Sequence, residues 1–398
     1  MHTEDKIDEK IISVNEEKIR TELSGLVRET VEQTLNKLLE HEAENLLKAK
    51  PYERSENRDG HRSGSYTRNF ETKSGKVKLK IPKLKGIQFE TQIIERYKRR
   101  ESSVEEALIE MYLAGVSVRR IEDVTEQLWG TRVSPGTISN LNKKVYSQIE
   151  EWRNRKLEDK YPYIYLDGIY LKKTWGGEVR NISILIAIGV NSEGFREVLG
   201  SMEGAKEDKE AWYGFLRHLK ERGLTGVKLI ISDKCLGLVE SIPDFFPEAD
   251  WQRCMVHFYR NVFAKVPTSS MRETVAMLKA IHSQEDRQAA MDKSKLVIEK
   301  LRTMKYNSAA DVIEKGIVET LSYMNYPRTH WTRIRTNNPL ERIMKEIRRR
   351  TRVNGSFPDG ESALMLVTAR LRHIASSQWG NKKYLDVSRL EKLNFESQ

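Results

Sequence analysis

Apolar residues recur at three- and four-residue steps through residues 7–50, at Ile11, Val14, Ile19, Leu23, Leu26, Val27, Val31, Leu35, Leu38 and Leu39. That is the spacing of one face of an α-helix, and such a stripe packs against the rest of the chain or against a second copy. Pro51 ends it. The rhythm then changes to alternation. In KVKLKIPKLK, Val77, Leu79 and Ile81 fall on one side of a strand and lysines on the other, and the Gly, Ser and Thr residues upstream supply the second arm of a small basic hairpin. The same lysines also suit a solvated edge strand.

Helical spacing returns over residues 103–152 in three short runs, EEALIEMYLAGVS, VRRIEDVTEQLWG and SPGTISNLNKKVYSQIEEW, separated at Gly115 and between Gly130 and Pro135. This is the grammar of a helix-turn-helix. Ser134 can cap the third helix and Pro135 suits its first turn. Thr137, Ser139, Asn140, Lys143 and Lys144 then form a polar face suited to a DNA groove, with Arg119 and Arg120 on the preceding helix. Tri-helical packing without a DNA role fits the same spacing.

From Tyr163 the pattern becomes α/β. YIYLDGIYLKK, VRNISILIAIGV and FREVLGSM read as three strands joined by WGGE and NSEG turns, which implies consecutive antiparallel pairing. DKEAWYGFLRHLKERG is an amphipathic helix, VKLIISD a short apolar strand of a sheet centre, ADWQRC a further strand and MVHFYRNVFAKV a helix. That order is the order of a ribonuclease-H-like domain. Residues 271–323 carry only helical patterns, which reads as an all-helical insertion before the chain returns at RIRTNNPLERIMKEIRRRTR. The expected organisation is multidomain α/β. An N-terminal helical region lies at 1–50, a small basic β module at 51–100 and a helix-turn-helix at 101–155. A ribonuclease-H-like catalytic domain spans 160–265 and 330–375, with a helical insertion at 266–329 and a weakly ordered tail at 376–398.

Charge adds a partner to this picture. The 398-residue chain has a formal net charge of +11, and residues 51–100 hold fourteen Lys/Arg against six Asp/Glu. Clustered cations release counterions from a polyanion on binding, so double-stranded DNA is the expected partner. Two cysteines, Cys235 and Cys254, form no disulfide framework and fit a reducing compartment. The N-terminal residues lack the pattern of a signal peptide and no apolar run approaches a membrane span. A cytoplasmic, nucleoid-associated protein with no membrane partner is expected.

Three carboxylates carry the candidate chemistry. Asp167 and Asp233 close apolar strands, and Glu341 opens a basic helix behind Asn337, Asn338 and Pro339. A carboxylate at the end of a buried strand is costly unless paired or bound to a metal. Two divalent ions about 4 Å apart can clamp the attacking and leaving oxygens of a phosphoryl transfer, and Mg²⁺, with Mn²⁺ as a substitute, takes such oxygen ligands. Arg348, Arg349, Arg350 and Arg352 follow Glu341 as phosphate-binding candidates. Cys254 and His257 form a C-x-x-H step. No second Cys/His pair completes a zinc site and no glycine-rich oxyanion turn flanks the thiol, so the pair is expected to support the acidic site.

At ENRDGHRSGSYTR, MYLAGVSVRRIEDV, SDKCLGLVESI, WQRCMVHFYRN and TNNPLERIMKEIRRRTRVNGSFPD the chain resembles the mutator-type transposases of bacterial insertion sequences, DDE recombinases of ribonuclease-H-like fold. The resemblance implies a catalytic triad at Asp167, Asp233 and Glu341, with the C-x-x-H signature at Cys254 and His257. It further implies a homodimer that binds terminal inverted repeats, cleaves to expose a 3′-hydroxyl and joins it to target DNA. A helix-turn-helix regulator with a non-catalytic α/β domain is the alternative, as is a nuclease that does not join strands.

Overall fold

The computed structural model describes residues 15–53, 58–94, 98–113, 116, 118–175, 178–204, 208–351, 357 and 359–390. They form a mixed α/β structure in two compact units, one of residues 1–112 and 116–142, the other of 113–115 and 143–398. Among the described residues no helix is long and apolar enough to cross a membrane.

In the first unit, α1 (Glu16–Leu47) starts at Asn15, whose side chain accepts the Lys18 amide at 3.0 Å. Strands β1 (His61–Thr72) and β2 (Gly75–Lys85) form an antiparallel hairpin. The alternation in β2 buries Val77, Leu79 and Ile81, which pack with Phe70 and with Val31, Leu35 and Leu39 of α1. The lysine strand is no solvated edge. Asn36 of α1 bonds the Lys78 carbonyl and the Lys80 amide, and Glu32 accepts the Lys78 amide, so helix side chains satisfy the outer backbone of β2.

Three helices follow: α2 (Ser102–Leu113), α3 (Val118–Trp129) and α4 (Pro135–Arg153). Val104, Leu108, Ile121, Val133, Ile138 and Leu141 form their shared core. Pro135 occupies the first helical position of α4 and Ser134 Oγ accepts the Thr137 amide at 3.3 Å.

The second unit is built on a five-stranded sheet. Its strands are β3 (Tyr163–Trp175), β4 (Glu178–Val190), β5 (Arg196–Gly204), β6 (Leu229–Ser232) and β7 (Asp250–Arg253), in the order β5-β4-β3-β6-β7. The first three pair antiparallel, while β6 and β7 add parallel to β3. Helices α5 (Lys209–Glu221) and α6 (Leu236–Phe245) cover one face, where Ile164, Leu166, Leu185, Trp212, Phe215 and Ile230 meet. Gly237 lets α6 approach α5, since a Cβ there would stand 2.4 Å from the Lys209 amide nitrogen. All four residues of β6 are buried, as expected for a strand covered on both faces.

The opposite face carries Tyr163 and Tyr165. Their hydroxyls bond His330 Nδ1 at 2.8 Å and the Arg333 carbonyl at 3.2 Å. Helix α7 (Met255–Phe263) leads into α8 (Met271–His282), α9 (Arg287–Thr303) and α10 (Asn307–Gly316), which bury Leu278, Ile281, Leu301 and Ile313. The chain returns through α11 (Trp331–Ile334), α12 (Asn338–Thr351) and α13 (Gly360–Ala375).

The segment after α13 differs from the loose tail expected from its sequence. After α14 (Gln378–Asn381), the Tyr384 amide donates to the Gly194 carbonyl at 2.7 Å, and Leu385, Val387 and Leu390 are buried. Three apolar side chains spaced along an otherwise polar stretch are enough to dock it on the sheet.

Candidate active site

Alternation along β3 puts Asp167 on the face of Tyr163 and Tyr165, away from the α5–α6 core. The parallel pairing of β3 with β6 runs through Tyr165 and Ile231. Asp167 lies two residues beyond that pair on β3, and Asp233 two residues beyond it on the β6 side, immediately after β6 ends at Ser232. Both aspartates are half-buried. Asp167 Oδ1 accepts the Gly168 amide at 2.9 Å, and Asp233 Oδ1 accepts the Lys234 amide at 2.7 Å.

Glu341 reaches the same face from the first turn of α12. Its amide bonds the Asn337 carbonyl, closing the first helical turn. By sequence either Asn337 or Asn338 can cap this helix, and Asn337 stands at the position before it. Its Nδ2 instead donates to the Leu166 carbonyl at 3.2 Å, one residue before Asp167, while its backbone amide donates to Cys254 Sγ at 3.2 Å. A fully buried asparagine thus ties the start of α12 to β3 and to the end of β7. The Cys254 amide bonds the Ser232 carbonyl at 2.7 Å, next to Asp233, and the Met255 amide bonds the Arg335 carbonyl at 3.1 Å. Few bonds separate all three carboxylates.

Asp167, His257 and Glu341 wall a cavity of about 540 Å³ together with Arg260, Met344, Lys345, Arg348 and Arg349. Asp233 is not among its described lining residues. The cavity therefore joins two of the three carboxylates to four long cations. His257 Nε2 stands 3.3 Å from Glu341 Oε1, close enough for attraction but without hydrogen-bond alignment. Glu341 Oε1 and His257 Nδ1 are both buried without a hydrogen-bond partner. A buried oxygen of this kind is costly unless something cationic meets it, so the Glu341 carboxylate fits a hard divalent cation.

Cys254, His257 and Glu341 also offer three ligand atoms within 4.8 Å of one another. The sulfur is poorly prepared for that role. Burial pushes the Cys254 thiol above its ordinary pKa, against backbone amide bonds from Asn337, His257 and Val256 that work the other way. A fully buried sulfur that accepts amides acts as a structural node.

The arginines after Glu341 divide in their partners. Arg348 is exposed on the cavity wall. Arg349, also on that wall, bonds Glu346 at 3.0 Å, as does Arg350 at 3.2 Å and Arg370 at 2.7 Å. The hydrogen bond from Arg349, helped by Arg350 and Arg370 against partial burial, holds the Glu346 carboxyl down to about 2. Arg352 lies outside the described residues.

In the first unit, Arg120 and Asn140 are exposed, and Thr137 contributes its hydroxyl to the Ser134 cap at 3.1 Å. The side chains of Arg119, Ser139, Lys143 and Lys144 lie outside the described residues. Sequence reasoning missed Arg260, although it follows His257 at the i, i+3 spacing of one helix face. It also missed the long-range role of Asn337, for which no local signal exists.

The chain matches the family described as "Transposase, Mutator family" over residues 2–381. It belongs to the Mutator family of transposases. It is 34% identical to the transposase for insertion sequence element IS256 in transposon Tn4001 of Staphylococcus aureus, covering 96% of this chain and 97% of that one. It is 36% identical to the transposase for ISRM5 of Rhizobium meliloti, covering 86% of each chain. Identity is also 36% to the transposase for IS1081 of Mycobacterium tuberculosis, over 88% of this chain and 85% of the relative. Membership of this family carries with it action on DNA and suggests a divalent-metal requirement.

Proposed function

We propose that this Mutator-family protein is a DDE transposase with a ribonuclease-H-like core that binds the terminal inverted repeats of its element. It cleaves to expose a 3′-hydroxyl and joins that end to target DNA. The observation that carries the reading is the shared cavity of Asp167 and Glu341, from distant strand and helix, with Arg260, Lys345, Arg348 and Arg349 around them. Acids alone would repel a phosphodiester and cations alone would only bind it. Together they suit a reaction in which a phosphate is held while charge develops on its oxygens. The sheet order, with three antiparallel strands followed by two parallel ones, supports the core assignment.

Asp167, Asp233 and Glu341 are the residues that would hold two Mg²⁺ ions, or Mn²⁺ in their place. Such ions, when bound, polarise a phosphoryl oxygen and stabilise both the entering and leaving oxygens. The chain's own groups do the positioning. Asn337 and Cys254 fix the helix start that carries Glu341, and His257 stands against the Glu341 carboxylate. Arg260, Lys345 and Arg348 attract the backbone of the strand to be cut. Water is the first nucleophile and the freed 3′-hydroxyl the second.

Helices α3 and α4, with Arg119, Arg120, Thr137, Ser139, Asn140, Lys143 and Lys144, are assigned to end recognition, and Arg350 and Arg352 to further phosphate contact. The protein is read as a cytoplasmic homodimer, for which the exposed Ile19, Leu23 and Leu26 of α1 offer an apolar stripe. The test is cleavage and joining of duplexes carrying the DNA that flanks this reading frame, in Mg²⁺ and in chelator. Asp167→Asn and Glu341→Gln should abolish both steps while end binding in chelator persists. A variant that still cuts at the wild-type rate overturns the assignment. A wild-type protein that binds ends but never cuts in any divalent cation favours the regulator.

A further inference from the structure

A second cavity in the α/β unit, of about 260 Å³, is walled by Arg196, Arg333, Arg342, Lys382 and Lys383, with no carboxylate among the described residues that line it. These cations come from β5, α11, α12 and the segment after α14. Only folding gathers them. Several long cations elsewhere in the unit are paired, as Lys173 is with Glu203, Lys234 and Arg253 with Glu319, and Arg349 with Glu346. Lys383 does stand within electrostatic reach of Asp386, which lies outside the cavity wall.

Arg196 is the built part of the cluster. Its guanidinium stacks on Trp379 and on Tyr384, 4.7 Å from each ring, and donates to the Trp379 carbonyl at 2.8 Å. Its Nε is buried without a hydrogen-bond partner. Arg333 stacks on the Tyr384 ring at 5.0 Å. Burial lowers the Arg196 pKa, opposed by the hydroxyls of Tyr384 and Tyr165 and, to a smaller extent, reinforced by the cations of Arg333 and Arg342. Planar guanidinium groups held rigidly by aromatic faces, close together and with no carboxylate on the described wall, meet the oxygens of a phosphate with little further ordering. The first turn of α12 adds Asn338 and Pro339 to the wall, bringing the positive end of that helix to the same place.

We propose that this cavity binds a backbone phosphate of duplex DNA, as an anchoring site separate from the catalytic cavity. The inference rests on the reading that the protein acts on DNA. Arg342 follows Glu341 directly on α12, so a phosphate held here is fixed by the same rigid helix that carries a proposed catalytic carboxylate. The site is an anchor that sets where the duplex lies as its strand enters the acidic cavity.

The test uses the full chain in chelator, so that binding is read without cleavage, and follows duplex affinity against salt concentration. Arg342, Lys382 and Lys383 are exposed, and the variant R342Q/K382Q/K383Q leaves the stacked Arg196 in place. Its log–log salt slope should be shallower than wild type by about 0.9, the contribution of one phosphate contact. A charge-matched variant on α8 and the loop after α9, R272Q/K279Q/K305Q, should keep the wild-type slope. An unchanged slope in the first variant overturns the proposal, as does an equal loss in the second. Inorganic phosphate binding seen by calorimetry, with the DNA slope unchanged, assigns the cavity to a free anion and also overturns it. Failure of the wild-type protein to bind any duplex defeats the DNA reading itself and this site with it.

Discussion

Asn337→Ala separates the fold's contribution to the site from the chemistry of the carboxylates. Asn337 is fully buried, and its Nδ2 is a hydrogen-bond donor to the Leu166 carbonyl. Alanine keeps the backbone amide that meets Cys254 Sγ but deletes that donor. A buried carbonyl left without its partner costs about 1–3 kcal/mol, and the small void left by the amide adds to it. We therefore expect a loss of about 2 kcal/mol in guanidinium unfolding followed by tryptophan fluorescence. The larger effect should be catalytic. The lost bond is one that registers Glu341 against Asp167, and a displacement of about 1 Å in a reacting constellation can cost about 10²-fold in rate. Cleavage measured where the variant is still fully folded should fall by that order, while end binding in chelator is unchanged. Wild-type cleavage by a folded Asn337→Ala protein would refute the claim that this asparagine sets the carboxylate geometry.

Glu346→Gln should free Arg349, Arg350 and Arg370 from their shared partner. The folded-state pKa of Glu346 is depressed to about 2 from an ordinary 4.5, so its stabilisation is present above the unfolded value and is lost as pH falls from about 4.5 towards 2. Because the carboxylate is partly exposed, about 1 kcal/mol is expected, and acid unfolding of the variant should lack that limb; superimposable curves would exclude the role. Alkylation of the native protein should label Cys235 and spare Cys254, whose thiol is buried and raised in pKa, as read by mass spectrometry of the digested product. Rapid labelling of Cys254 in folded protein would remove it as a structural node. Cys254→Ser should accordingly retain measurable cleavage, whereas a ligand or nucleophile role predicts none.

Periodicity alone determined much of this protein. The lysine-alternating strand, the three short helices, the order of strands and helices after Tyr163 and the helical stretch before Asn337 all follow from local spacing, because amphipathic faces are written at short range. Asp233 follows the end of β6 and Glu341 opens α12, as expected for acids that are costly to leave unpaired, whereas Asp167, expected to close its strand, lies inside β3, which runs on to Trp175 because its pairing with β4 continues past the acid. Tertiary structure decided what lies between them. Asn337 carries the sequence signature of a helix cap yet spends its amide on a strand 171 residues away. The edge of β2 is covered by Asn36 and Glu32 rather than left to solvent, and the segment after α14 docks through Leu385 and Val387. The five-cation cavity likewise gathers β5, α11, α12 and the C-terminal segment, and none of its members is remarkable beside its chain neighbours. Hydrogen bonding and charge clustering between distant segments depend on relative placement in space, which no local pattern encodes.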